Sequence, residues 1–197
     1  MSAFLTLTDI AQHQEVVKDS AFIAYAGRAD GPDEAMRFLR AVLERHADAS
    51  HLCWAYKIGP RYRFSDGGEP GGTAGQPILR AIEGQGLDHV VVGVIRYFGG
   101  TKLGAGGLMR AYGGVAAEAL RTAPRKEETP RETLSVEVAF EHLGALYRLL
   151  ESHGALDRAE DYRESGVSVR FTLPQADVAR FLSTLRDATR GQLKESS

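Results

Sequence analysis

Glycine is spread unevenly along this chain of 197 residues: sixteen of its 22 glycines fall between Gly59 and Gly114. Most of them lie in two runs. The first is Phe64-Ser-Asp-Gly-Gly-Glu-Pro-Gly-Gly-Thr-Ala-Gly-Gln-Pro77, and the second is Arg96-Tyr-Phe-Gly-Gly-Thr-Lys-Leu-Gly-Ala-Gly-Gly-Leu-Met-Arg-Ala-Tyr112. Residues with so little conformational preference are the usual choice for turns between regular elements. The elements on either side are legible. Leu52, Trp54, Tyr56 and Ile58 alternate with Cys53, Ala55 and Lys57, the pattern of a strand, and Gly59-Pro60 turns it into Arg61–Ser65. Val90 to Phe98 is nearly continuously apolar and predicts a central strand. Ala35, Phe38, Leu39 and Val42 mark one face of a helix over 34–45. Thr73 is placed to cap a helix with Pro77 in its first turn, and Leu108, Tyr112, Val115 and Ala119 predict another over 108–121. Each glycine run therefore joins a strand to a helix, which makes the region α+β.

The segment Thr122–Thr133, TAPRKEETPRET, ends this region. Six of the eight residues from Arg125 to Glu132 are charged, with Pro124 and Pro130 flanking or interrupting them, and only four glycines follow. The expected domains are 1–124 and 133–197, joined by a linker over 125–132. In the second, Leu134, Val136 and Val138 predict a strand, and Leu143, Leu146, Leu149 and Leu150 a helix closed by Gly154. Two strands follow over 155–162 and 167–173, then a helix from Pro174 with Val178, Phe181, Leu182 and Leu185, and a short strand after Gly191. That order is the split β-α-β arrangement. Its two histidines, His142 and His153, fall at helix ends.

Composition excludes several classes. Apolar residues make up 43% and charged residues 25%, the balance of a globular protein. The longest apolar stretch, Val90–Ile95, is too short to span a bilayer, so no membrane partner is expected. The N-terminal MSAFLTLTDIAQHQ has neither a basic start nor an apolar run, and with no signal segment read there the expected compartment is cytoplasmic. The single cysteine, Cys53, leaves no disulfide partner within the chain and no cysteine metal cluster. Net charge is −2, so any affinity for phosphates has to come from a local patch.

The second glycine run offers such a patch. No acid occurs from His89 through Ala117, and the same window carries Arg96, Lys102 and Arg110. A strand–glycine–helix turn leaves backbone N–H groups free at a helix N-terminus, where anions are favoured. Arg96, Lys102, Gly104, Gly106, Gly107 and Arg110 are thus candidates for binding a phosphate or carboxylate, with Arg110 read in the helix's first turn. Tyr97, Phe98 and Tyr112 are aromatic candidates for stacking on bases, although Tyr97 and Phe98 point to opposite strand faces. In the first run, Asp66 and Glu69 can hold Mg²⁺, act as acid and base, or serve as caps and partners of Arg96 or Arg110; the last reading is preferred. His51 and Cys53 share a strand face, as a Cys–His nucleophile requires, but a buried thiol beside an imidazole fits the same spacing. The G-x-x-x-x-G-K-[ST], G-x-S-x-G and H-E-x-x-H signatures are absent from the sequence, and the G-x-G at Gly104 has Met109 where the last glycine belongs. No metal and no cofactor are expected.

Three motifs together carry a resemblance: His51-Leu-Cys-Trp-Ala-Tyr56, Phe64 through Gly75, and Arg96 through Tyr112. They resemble those of the YigZ/IMPACT family, and the likeness extends through His142-Leu-Gly144 to Arg190-Gly191 in the two-domain bacterial arrangement. The resemblance implies an N-terminal domain like domain IV of elongation factor G, a fold shared with a ribosomal protein and GHMP kinases. It implies a C-terminal ferredoxin-like βαββαβ domain like domain V of that factor. It places the family's motif residues at His51, Ser65, Asp66, Glu69, Thr73, Arg96, Lys102 and Arg110, while Gly67 and Gly71 depart from the usual Asp and Ser. Ser65, Thr73, Gly75, Gly99, Gly100 and Tyr112 are expected to shape the motifs. Eukaryotic relatives regulate translation. The expected function is accordingly a non-enzymatic binding or regulatory protein associated with translation, whose partner is RNA, a nucleotide or a ribosome-associated protein. The alternative is an enzyme on a small phosphorylated or carboxylated substrate, with Asp66, Glu69 or His51 as acid and base.

Overall fold

A computed structural model describes residues 3–196 of the chain. It divides into two compact units, one of Phe4–Glu128 and one that takes up the chain from Thr129. In chain order the first unit runs β1 (Phe4–Leu7), β2 (Ala11–Val17), β3 (Ser20–Arg28), α1 (Pro32–Arg45), β4 (His51–Ile58), β5 (Arg61–Ser65), α2 (Gly75–Gly84), β6 (Val90–Tyr97), α3 (Gly104–Thr122) and β7 (Arg125–Glu128). Five of these strands form one sheet in the order β2-β3-β6-β4-β5, and every neighbouring pair is antiparallel.

The apolar β6 is the middle strand, as its composition predicts, and it is covered on both faces. Val92 and Val94 point with Phe22, Cys53 and Ala55 toward Ile78 and Ile82 of α2 and Tyr112 and Val115 of α3. Val91 and Ile95 point the other way, toward Ala35, Leu39 and Val42 of α1. A β-strand alternates faces at every residue, so a continuous apolar run is what two-sided burial demands. Each such side chain contributes roughly 1.5–3 kcal/mol when fully buried.

Residues 125–128 correct the expected linker. They form β7, antiparallel to β1, with Leu5 opposite Glu127. Most of their side chains are bonded: Glu128 accepts both Arg28 guanidinium N–H bonds at 2.5 and 2.8 Å and pairs with Lys126, and Arg125 reaches the Leu120 carbonyl at 2.6 Å. A charged run is thus an edge strand whose side chains find partners, and Thr129 begins the second unit.

That second unit runs β8 (Arg131–Val138), a 3-10 turn at Phe140–His142, α4 (Leu143–Ser152), β9 (Leu156–Arg163), β10 (Gly166–Pro174), α5 (Gln175–Ala188) and β11 (Lys194–Ser196). Its sheet order is β11-β8-β10-β9, all antiparallel, the split β-α-β-β-α-β topology. One face carries the core, in which Val136, Val138, Val169 and Phe171 meet Leu146, Leu150, Phe181 and Leu185. Among the described residues no helix is long and apolar enough to cross a membrane.

Candidate functional site

The two glycine runs meet. Glu69, from the run between β5 and α2, accepts a hydrogen bond from Arg96 Nη1 of β6 at 2.6 Å and another from Tyr112 Oη of α3 at 2.8 Å. Both members of the ion pair are 5% exposed. The Arg96 guanidinium also donates to Ser20 Oγ at 3.3 Å and lies over the rings of Phe22 and Phe98. Its Nε has no hydrogen-bond partner among the described residues. Arg96 thus faces Glu69, as the preferred reading of the acids allowed, and it is a buried organiser rather than a free surface cation.

Asp66 does different work from Glu69. Its carboxylate accepts the backbone N–H groups of Gly72, Ala74 and Gly75 at 2.9, 3.1 and 2.9 Å. Ala74 and Gly75 sit at the start of α2, so Asp66 caps that helix from eight or nine residues upstream. Burial acts to raise the Asp66 pKa, but these three backbone bonds outweigh it and hold the carboxyl below its ordinary range. The expected Thr73 cap is corrected here: Ala74 is the N-cap and no side chain of its own caps the helix. The Thr73 hydroxyl instead donates to the Pro70 carbonyl at 2.6 Å. Ser65 Oγ accepts the Gly67 N–H at 3.2 Å. Gly75 packs so close to β5 that a Cβ there would stand 2.7–2.8 Å from the Ser65 backbone.

His51 and Cys53 flank the same run on β4. His51 Nδ1 donates to the Gly67 carbonyl at 2.9 Å, and its Nε2 stands 3.9 Å from Glu69 Oε1. The Cys53 thiol is fully buried and donates to the Asp66 carbonyl at 3.0 Å. Burial is the chief reason its pKa is pushed up to about 12, with the Glu69 and Asp66 charges adding to it. Burial likewise drives the Tyr112 hydroxyl well above the ordinary phenol range. A thiol kept protonated is a poor nucleophile, and the imidazole beside it bonds a backbone carbonyl rather than sulfur.

Beyond Arg96 the second run forms a mouth. Glu69, Pro70, Arg96, Phe98, Lys102, Leu103, Gly104, Ala105 and Leu108 line a pocket of about 340 Å³. Its wall is pinned at the strand end: Phe98 N–H donates to Ser50 Oγ at 3.0 Å and Gly99 N–H to Ser20 Oγ at 3.1 Å. Gly99 has to be glycine, because a Cβ would lie 2.1 Å from the Asp19 carbonyl oxygen. The helix begins earlier than its apolar spacing predicts, at Gly104 instead of Leu108, with Gly104 at φ +73°. Gly106 and Gly107 are therefore helical, and Arg110 falls in the second turn, not the first. Poor helix formers are held there because Leu108 is buried and Leu103 packs on the core. Among the described residues no side chain caps this terminus, and its first turn has no acid.

Lys102 and Arg110 are exposed, and among the described residues neither makes an ion pair. Tyr97, expected on the binding surface, lies on the opposite sheet face, where its hydroxyl bonds His46 Nδ1 at 2.8 Å and Asp48 at 3.2 Å. Phe98, half exposed, is the aromatic that lines the pocket. Ser20 and Ser50, which fix the loop, carried no signal in the sequence.

Comparison with known proteins agrees with the motifs. Residues 18–120 match the Impact N-terminal domain, and residues 136–192 match a domain of unknown function, DUF1949. The IMPACT family member in the pol 5′ region of Thermus thermophilus is 48% identical over 179 residues, covering 90% of this chain and 98% of that protein. The IMPACT family member YigZ of Escherichia coli is 37% identical over 185 residues, covering 91% and 90% respectively. A crystal structure of a hypothetical protein superposes with a TM-score of 0.71 at 35% identity, covering 100% of this chain and 98% of that one. A second crystal structure, of a Thermus thermophilus protein, shares the fold at 10% identity and a TM-score of 0.54, with this chain spanning 28% of its length. The shared motifs, both domain matches and the relatives that align along nearly the whole chain establish that this protein belongs to the IMPACT family.

Proposed function

We propose that the protein is a non-enzymatic binding protein associated with translation, which uses the mouth of the second glycine run to hold RNA through its phosphates. The observation that carries this reading is the uncapped, acid-free N-terminus of α3 with two exposed cations nearby, Lys102 and Arg110, which form no ion pair among the described residues. A helix terminus with free N–H groups favours an anion, and cations near it oppose the helix dipole unless an anion is shared between them. The split β-α-β-β-α-β topology of the second unit is compatible with a likeness of that unit alone to a domain of a ribosome-binding factor, a likeness of fold and not of site.

The alternative, an enzyme with Asp66, Glu69 or His51 as acid and base, draws no support from the same geometry. Asp66 spends its carboxylate on α2, Glu69 on Arg96 and Tyr112, and the His51 Nδ1 proton on a backbone carbonyl. The proposed function is tested by measuring affinity for single-stranded RNA and for ribosomes in the unchanged protein and in Lys102→Ala and Arg110→Ala. Weaker binding at unchanged melting temperature supports it. Turnover of a phosphorylated small molecule that is lost in Glu69→Gln, without RNA affinity, supports the enzyme.

A further inference from the structure

The pocket's chemistry is divided. Pro70, Phe98, Leu103, Ala105 and Leu108 give it an apolar wall, whereas Lys102 and the first turn of α3 stand at one end. At the base, Arg96 is 4% exposed and its Nε has no partner among the described residues, while Glu69 is neutralised by its two donors. A bare inorganic anion would use the cationic end and leave the apolar wall wet. An uncharged aromatic would leave the helix terminus unanswered. The lining fits a ligand that is flat and apolar along most of its length and anionic at one end.

Phe98 sharpens this. The residue is 50% exposed, and the Arg96 guanidinium carbon lies 5.2 Å from its ring centroid. The buried cation packs against the ring and the Phe98 N–H is tethered to Ser50, while the residue stays half exposed. A fixed aromatic surface is what a nucleobase stacks on. A Cβ added at Gly100 or Gly104 would meet nothing within 4 Å, so on the side where a side chain would stand there is room for a phosphate to approach the backbone.

We infer that this pocket holds one nucleotide unit, with its base against Phe98 and its phosphate at the N-terminus of α3 beside Lys102. The inference rests on the reading of this mouth as a phosphate site and adds the base. The same chemistry is presented by a free nucleoside monophosphate and by one residue of an RNA strand.

Calorimetry of the full chain with adenosine 5′-monophosphate, adenosine, inorganic phosphate and a short single-stranded oligoadenylate tests it. The expected result is that the monophosphate or the oligonucleotide binds at least tenfold more tightly than adenosine or phosphate. Phe98→Leu keeps an apolar side chain without a ring and should weaken that binding roughly tenfold. Ala105→Glu places a carboxylate in the first helical turn, where it favours the helix but repels a phosphate; binding should fall below detection with no loss of melting temperature. A preference for the monophosphate identifies a free nucleotide as the source, and a preference for the oligonucleotide identifies a strand. Binding of the oligonucleotide that is unchanged in Phe98→Leu overturns the nucleotide pocket and leaves the phosphate-reading surface standing. Absence of binding by every probe overturns both.

Discussion

Glu69 and Arg96, 27 residues apart in the chain, form an ion pair in which both side chains are 5% exposed. It ties the first glycine run to the end of the central strand, and Tyr112 adds α3 to the same carboxylate. The pocket between the two glycine runs therefore rests on a buried polar joint, whereas Lys102 and Arg110 are exposed.

Removal of one partner should reveal that division. Arg96→Met leaves the Glu69 charge buried beside Tyr112 and should cost about 3–5 kcal/mol. Lys102→Ala and Arg110→Ala, both at exposed positions, should change stability by no more than about 0.5 kcal/mol. Urea denaturation of the three variants checks this; an Arg96→Met protein as stable as the unchanged chain contradicts the joint.

Asp66 makes stability depend on acid. Its folded pKa is lowered, so its contribution is fully present above the unfolded value, near the ordinary 3.8, and is lost as pH falls through the folded value. Asp66→Asn weakens the cap of α2 and should cost about 1 kcal/mol at neutral pH. The melting-temperature gap between the two proteins should close as pH falls below that ordinary value. A gap that persists unchanged in strong acid would show that the carboxylate charge is not what caps the helix.

Cys53 should be silent in the folded protein. A fully buried thiol with its pKa pushed up to about 12 reacts with a disulfide reagent only after unfolding. Labelling at neutral pH should therefore proceed at the unfolding rate and accelerate in urea. Prompt native labelling would reopen the Cys–His reading.

Two glycine substitutions should move in opposite directions. Gly75→Ala drives a Cβ to 2.7–2.8 Å from the Ser65 backbone and should destabilise the fold by about 1–3 kcal/mol. Gly114 lies exposed inside α3, and a methyl added there meets nothing within 4 Å, so Gly114→Ala should stabilise by about 0.5–1 kcal/mol. Thermal melting of both proteins reads the signs.

The regular elements were legible because their apolar periods are clean. Val90–Phe98 reads as a central strand and is one, but for its last residue. In the second unit β8, β10 and the two helices follow from the spacing of their leucines and valines, whereas β9, Leu-Asp-Arg-Ala-Glu-Asp-Tyr-Arg, carries no such pattern. What escaped was set by contacts between distant residues. The helix at Gly104 starts against local preference because Leu103 and Leu108 are held by the core. The charged residues 125–128 become strand because β1, more than a hundred residues away, supplies a partner. Asp66 and Thr73 are both plausible caps by composition, and only the backbone path assigns α2 to Asp66. At Tyr97 and Phe98 strand alternation predicts opposite faces; which one meets the pocket depends on the side to which α3 returns.

The most direct test is the affinity of the unchanged protein and of Lys102→Ala for a single-stranded RNA oligonucleotide, followed across salt concentration. Each phosphate contact contributes about 0.7 to the slope of log affinity against log salt on a single strand. The account predicts measurable binding that weakens as salt rises, with the slope shallower by about that amount in Lys102→Ala at unchanged melting temperature. Binding that is undetectable at low salt, or indifferent to salt, would contradict it.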